Sequence, residues 1–247
     1  MPDASRLLPH PLFLHGWGLS GAVWLPTLRH LPGSTPDLPG YGVSPTVTPY
    51  TAETLADALA ARIVGPVDLV GWSMGGMVAL ALAARHPEKV ARLVLVGTSP
   101  TFAASADCPH GMAAAVLAGF ARSLQEDFRA TLLRFLSLQA RGGDEARVVI
   151  AQLRERMRTQ AEPNPDVLAA GLELLRTVDL RDQVARVRCP TLVVHGAYDT
   201  LCAPAAGLWL AERLPDARLA LHERASHAPF LSHPDWFVST LKEFLHG

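Results

Sequence analysis

Three cysteines in 247 residues, Cys108, Cys189 and Cys202, are odd in number and widely spaced, so they form neither a disulfide framework nor a paired-cysteine metal or redox motif. Reduced thiols of a cytoplasmic protein are expected. Charge is also scarce, at 18% of residues with a net charge of −1, which removes any chain-wide electrostatic basis for holding nucleic acid or an anionic membrane. No apolar run approaches the roughly 20 residues that a membrane-spanning helix needs. With Asp3 at the start and His15-Gly16-Trp17 following so soon after it, no secretory leader is expected. What is abundant is apolar side chain, 49% of the total, enough for one large core in a single α/β unit.

Short apolar runs, Pro11 to Leu14, Val67 to Val70, Leu93 to Val96, Thr191 to His195 and Ala217 to Leu221, alternate with longer helical patterns. That rhythm predicts βαβ units and a mostly parallel sheet flanked by helices. A helix opened by Thr51 runs toward Ile63, and an Ala/Leu/Met-rich helix runs from Met74 to Arg85 and stops at His86-Pro87. The rhythm breaks between Pro100 and Asp182. Only helical periodicity is found there, over Met112 to Phe120, Leu124 to Leu138, Ala146 to Arg158 and Val167 to Thr177. The chain therefore divides into a core over residues 1–99 and 183–247 and a helical lid over 100–182, inserted before the last two strands.

Gly71-Trp72-Ser73-Met74-Gly75 fits G-x-S-x-G, with an apolar strand directly before it and a helix directly after. Such a strand-to-helix turn lifts a serine hydroxyl clear of the sheet and offers backbone N–H groups to an anion, the pattern of the α/β-hydrolase fold. A serine is a poor nucleophile unless a histidine accepts its proton, and that histidine needs a carboxylate to fix its tautomer. In this fold the order along the chain is serine, acid, histidine. His227, in a loop after the last strand, is the expected base, ahead of His222 at a strand end and His233 at a helix start. Asp199, closing Thr191-Leu-Val-Val-His-Gly-Ala-Tyr-Asp, is the expected acid, ahead of Asp182 and Asp37. The N–H groups of Met74 and of Trp17, in His15-Gly-Trp-Gly, are the expected oxyanion donors, while His15 is read as holding its loop. No metal or cofactor is expected.

Further stretches are narrower in their likeness. Thr98-Ser-Pro, Leu117-Ala-Gly-Phe, Arg134-Phe-Leu-Ser-Leu-Gln, Gly171-Leu-Glu-Leu-Leu-Arg-Thr-Val-Asp-Leu-Arg and Ala225-Ser-His-Ala-Pro-Phe-Leu-Ser-His-Pro resemble the pimeloyl-[acyl-carrier protein] methyl ester esterases of biotin synthesis. The resemblance implies an acyl carrier protein as partner and assigns Phe135, Leu136, Ser137, Leu138 and Gln139 to the acyl channel. It also assigns Arg134 and Arg147 to carrier docking. Between Phe120 and Gln160 eight arginines stand against five acidic residues, a local charge of +3 that suits an acidic carrier. The enzyme is taken as a monomer. A carboxylesterase acting on short free esters is the alternative, with a non-catalytic ligand-binding protein as the alternative of a different class. The short lead before the first strand raises the question of whether N-terminal edge strands are missing.

Overall fold

A computed structural model describes residues 10–105, 108 and 111–247. Among them five strands, β1 (Leu12–Leu14), β2 (Val67–Trp72), β3 (Val90–Val96), β4 (Thr191–Gly196) and β5 (Ala217–His222), form one parallel sheet in the order β1-β2-β3-β4-β5. The helices are α1 (Leu25–Leu28), α2 (Ala52–Ala60), α3 (Met74–Arg85), α4 (Ala114–Glu126), α5 (Phe128–Gln139), α6 (Ala146–Thr159), α7 (Pro165–Thr177), α8 (Pro204–Arg213), α9 (Pro229–Ser232) and α10 (Pro234–His246). The fold is the α/β-hydrolase fold expected from the sequence.

Alternation along the strands builds the two cores. Leu12, Leu14, Leu69, Leu93, Leu95 and Val193 face one side, where α2, α3, α4, α7 and one face of α5 pack, while α6 packs on the other. Phe13, Val70, Trp72, Val94, Val96, Leu192 and Val194 face the other, against Trp24, Phe230 and Phe237. Trp24 stacks on Phe230 with ring centroids 4.2 Å apart. Each such fully buried side chain contributes roughly 1.5–3 kcal/mol of transfer free energy. α3 is apolar on all sides because it lies between the sheet and α2, and Met74 through Ala83 are buried. α2 is capped at Thr51, whose hydroxyl accepts the Thr54 N–H at 3.2 Å while the Thr54 hydroxyl accepts the Thr51 N–H at 3.0 Å.

The register fixes the site. Leu14 pairs with Gly71, Gly71 with Leu95, and Leu95 with Val193, so the carboxyl ends of four strands finish at one rim. The residues that follow, His15 to Trp17, Ser73, Gly97 to Ser99 and Ala197 to Asp199, are therefore neighbours across that rim. Outside β1, Ser34 makes a parallel bridge to Leu12. Residues 1–9 lie outside the described residues, and the question of N-terminal edge strands lies there with them.

Between β3 and β4 the chain forms α4 to α7, with isolated bridges such as Thr101 to Asp179 and no further strand of the sheet among the described residues. Several helix boundaries differ from expectation, most of all where α4 meets α5. The helix expected from Leu124 starts at Phe128, because Asp127 closes α4 and then caps α5, its carboxylate accepting the Ala130 N–H at 3.0 Å. Residues 124–126 belong to α4, which starts at Ala114 rather than Met112. Among the described residues no helix is long and apolar enough to cross a membrane.

Candidate active site

Ser73 stands between β2 and α3 with φ 56° and ψ −120°, a backbone conformation that a side-chain-bearing residue holds at a cost of about 1–3 kcal/mol. Its surroundings enforce that turn. The Ser73 N–H donates to the Val96 carbonyl at 2.9 Å, and its carbonyl accepts the Thr98 hydroxyl at 2.8 Å. Gly75 is required by close approach, since a Cβ there would lie 2.5 Å from the His15 carbonyl oxygen. The His15 to Gly18 loop consequently sits directly against the turn, and a Cβ on Gly16 would lie 3.4 Å from Ser73 Cβ.

His227 Nδ1 donates to Asp199 Oδ2 at 2.7 Å, and both side chains are fully buried. Asp199 Oδ1 accepts the backbone N–H groups of Leu201 and Cys202, each at 2.9 Å. Burial pushes the Asp199 carboxyl up, but the charge of His227 and hydrogen bonding from His195 and His227 outweigh it and hold the group well below the usual carboxylate range. A carboxylate that accepts at Nδ1 leaves the other imidazole nitrogen with its lone pair. That nitrogen, Nε2, is buried and has no hydrogen-bond partner among the described residues.

Three contacts fix His227 relative to Ser73. The indole N–H of Trp72, the residue preceding Ser73, donates to the His227 carbonyl at 2.9 Å. The His227 N–H donates to the Gln139 carbonyl at the end of α5 at 3.1 Å. Gly97 lets β3 pass close by, for a Cβ there would lie 3.2 Å from His227 Nδ1 and 3.3 Å from Asp199 Oδ2.

The other face of the site is made by Trp17 and Met74, both buried. Met74 opens α3, so its N–H has no acceptor inside the helix. Among the described residues the Trp17 N–H pairs with no backbone carbonyl. The Trp17 side chain closes the space above: its indole N–H donates to the Leu168 carbonyl of α7 at 2.9 Å, and Phe135 of α5 meets it edge-on at 4.9 Å. His15 acts as a loop brace. Its Nδ1 donates to the Gly16 carbonyl at 2.9 Å and its Nε2 accepts the Leu38 N–H at 3.0 Å, with burial pulling its pKa down.

The expected residues are thus divided in space. Ser73, Asp199, His227, Trp17 and Met74 converge at the rim, joined by Phe135 through Trp17 and by Gln139 through its backbone. Leu136 turns to the opposite core beside Val149 and Ala228, Leu138 packs half-buried on the Trp17 side, and the Ser137 hydroxyl folds back onto the Leu133 carbonyl. Helical geometry dictates this, because five consecutive residues cannot share one face. Arg134 and Arg147 are exposed, Arg134 stacking on Phe120 at 4.6 Å. Of the rival histidines, His222 and His233 stack on each other at 3.9 Å, and Asp37 accepts the Gly21 N–H at 2.8 Å. No cluster of three or more metal-ligating side chains exists among the described residues.

Two contributors went unread in the sequence. Trp72 was visible only as the variable position of the motif. His195 was passed over as part of an apolar strand, yet a lone imidazole in Thr191-Leu-Val-Val-His-Gly signals a buried polar group that needs partners.

The sheet order and the rim it builds define the class, a protein of the α/β-hydrolase fold. The sequence profile of the alpha/beta hydrolase fold family matches residues 9–234. A pimeloyl-[acyl-carrier protein] methyl ester esterase from Aromatoleum aromaticum is 44% identical over 97% of this chain and 99% of its own. One from Chromobacterium violaceum is 43% identical over 96% of this chain and 94% of its own. The chain belongs to the family of these esterases within the α/β-hydrolases. Among solved structures it is similar to an esterase from Exiguobacterium antarcticum, with a TM-score of 0.85 at 24% identity over 97% of this chain and 92% of that one, a likeness of fold.

Proposed function

We propose that Ser73, His227 and Asp199 form the catalytic triad of an esterase that removes the methyl ester from a pimeloyl chain carried by acyl carrier protein. The observation that carries the chemistry is the 2.7 Å contact of His227 Nδ1 with a buried Asp199, beside a serine held at φ 56°. With Nδ1 protonated and bound to the carboxylate, Nε2 takes the Ser73 proton as Oγ attacks the ester carbonyl. The N–H groups of Met74 and Trp17 receive the oxyanion. The imidazolium then returns its proton to the methoxide, methanol leaves, and water repeats the sequence to release the pimeloyl carboxylate.

Residues 100–182 act as the lid. Trp17, Phe135 and Leu138 line the apolar acyl path in this reading, with Leu136 and Ser137 shaping the helix behind them and Gln139 fixing the His227 loop. Arg134 and Arg147, both exposed, give an acidic carrier its docking points. The monomer suffices for every step.

Turnover of methyl pimeloyl carrier protein is compared with turnover of a short free ester. The proposal expects higher efficiency on the carrier substrate, and expects the double change Arg134→Glu with Arg147→Glu to lower only that efficiency, by roughly tenfold or more. Equal efficiency on both substrates, unaffected by the two changes, leaves a general carboxylesterase.

A further inference from the structure

A second imidazole approaches the carboxylate of Asp199. His195, in the fifth position of β4, is fully buried; its Nε2 lies 2.7 Å from the Cys202 carbonyl and 3.4 Å from Asp199 Oδ2. A carbonyl oxygen only accepts, so Nε2 carries the hydrogen. That N–H stands where the Cys202 carbonyl and Oδ2 come together, on the same carboxylate oxygen that holds His227 at 2.7 Å. The Cys202 N–H meanwhile donates to Oδ1 at 2.9 Å, so one residue of this turn is tied to the carboxylate through its N–H and to His195 through its C=O.

The ring is placed with care for this purpose. Gly207 of α8 makes room for it, since a Cβ there would lie 2.6 Å from His195 Nδ1. Nδ1 is buried and has no partner among the described residues. An unpaired buried nitrogen is a liability that a phenyl ring of the same shape would remove. Packing alone therefore does not account for a histidine here. The titratable groups around the carboxylate are His227, His195 and the buried Cys202 thiol.

We propose that His195 is a positioning residue for ester hydrolysis: it holds Asp199 through the Cys202 turn and through Oδ2, and so sets how strongly the carboxylate pulls on His227. The inference rests on the triad reading above. With the His195 N–H beside it, Oδ2 shares its negative charge between two imidazoles. Without that N–H the charge falls on His227 alone, which favours the imidazolium and makes it a base that is protonated up to higher pH.

The test uses the full chain and p-nitrophenyl butyrate, with parent, His195→Phe, His195→Gln and Ser73→Ala. Gln places its amide nitrogen near the imidazole Nε2 and keeps a donor. For His195→Phe, kcat is expected to fall about tenfold with KM within about twofold, and the acid limb of the kcat/KM profile to move to higher pH. His195→Gln is expected to recover most of kcat and the parent acid limb. The low-field proton resonance of the His227–Asp199 bond should move in the Phe variant and return in Gln, a readout independent of turnover. A Phe variant with parent kcat, acid limb and proton resonance overturns the inference while leaving the triad standing. The same holds if Phe and Gln lose activity equally without any movement of the acid limb. Activity that survives in Ser73→Ala overturns both.

Discussion

Replacing Asp199 with Asn changes one atom and, by the geometry of the site, disables the base. Asp199 accepts three short hydrogen bonds, two at Oδ1 from backbone N–H groups at 2.9 Å and one at Oδ2 from His227 at 2.7 Å, while the His195 N–H, 3.4 Å from Oδ2, keeps the Cys202 carbonyl at 2.7 Å as its nearer acceptor. An amide offers only one accepting oxygen. If that oxygen turned toward His227, the amide NH2 would face two buried backbone donors and leave both unpaired, at about 1–3 kcal/mol each. The oxygen therefore stays with the two backbone donors and the NH2 takes the place of Oδ2. Imidazole Nδ1 must then accept, and its proton moves to Nε2, the nitrogen that has to receive the Ser73 proton. The expected loss is about 10³- to 10⁴-fold in kcat, equivalent to roughly 4–5.5 kcal/mol of transition-state stabilisation, with a folded protein and little change in KM. Steady-state turnover of a chromogenic ester, beside a urea unfolding curve to verify folding, measures it. An Asn variant that is folded and keeps more than about a tenth of parent kcat refutes the reasoning, because one kcal/mol or so cannot represent a lost base.

Other consequences follow from the same contacts. Trp72→Phe removes the indole donor to the His227 carbonyl, leaves that carbonyl unpaired and opens space beside Phe230; a stability loss of about 2–4 kcal/mol by urea unfolding is expected, together with lower kcat. Gly171→Ala would set a Cβ 2.8 Å from Trp17 Cδ1, pushing the indole from the Leu168 carbonyl, and should raise KM for the pimeloyl substrate several-fold with a smaller effect on kcat. The folded-state carboxyl of Asp199 titrates well below its unfolded value of about 4, so the stability it contributes is complete above that pH and is lost as pH falls further. Asp199→Asn should accordingly flatten the acid side of the stability profile measured by urea unfolding.

What the sequence revealed follows from the range of the forces involved. Ser73 was legible because a tight strand-to-helix turn needs small residues in fixed places, and α3 because His86-Pro87 ends an otherwise uninterrupted apolar helix. Asp199 and His227 were legible through the order imposed by the parallel sheet, in which consecutive strands deliver their loops to one rim. The break at Asp127 was missed because the apolar period runs through it from Leu124; only the capping bond to Ala130 shows that two helices meet there. The ties between Gln139, Trp72 and His227 run through backbone carbonyls, which leave no mark on residue identity. The five residues assigned to the acyl path were adjacent in sequence, and the helix that carries them sends them to different faces.

A fluorophosphonate that reacts only with an activated serine hydroxyl tests the central claim without assuming a substrate. Intact mass and peptide mapping should find one adduct, on Ser73, formed rapidly in the parent and much more slowly in His227→Gln with its fold intact. A stable adduct on a different serine, or labelling of Ser73 at the parent rate when His227 is replaced, would contradict the account.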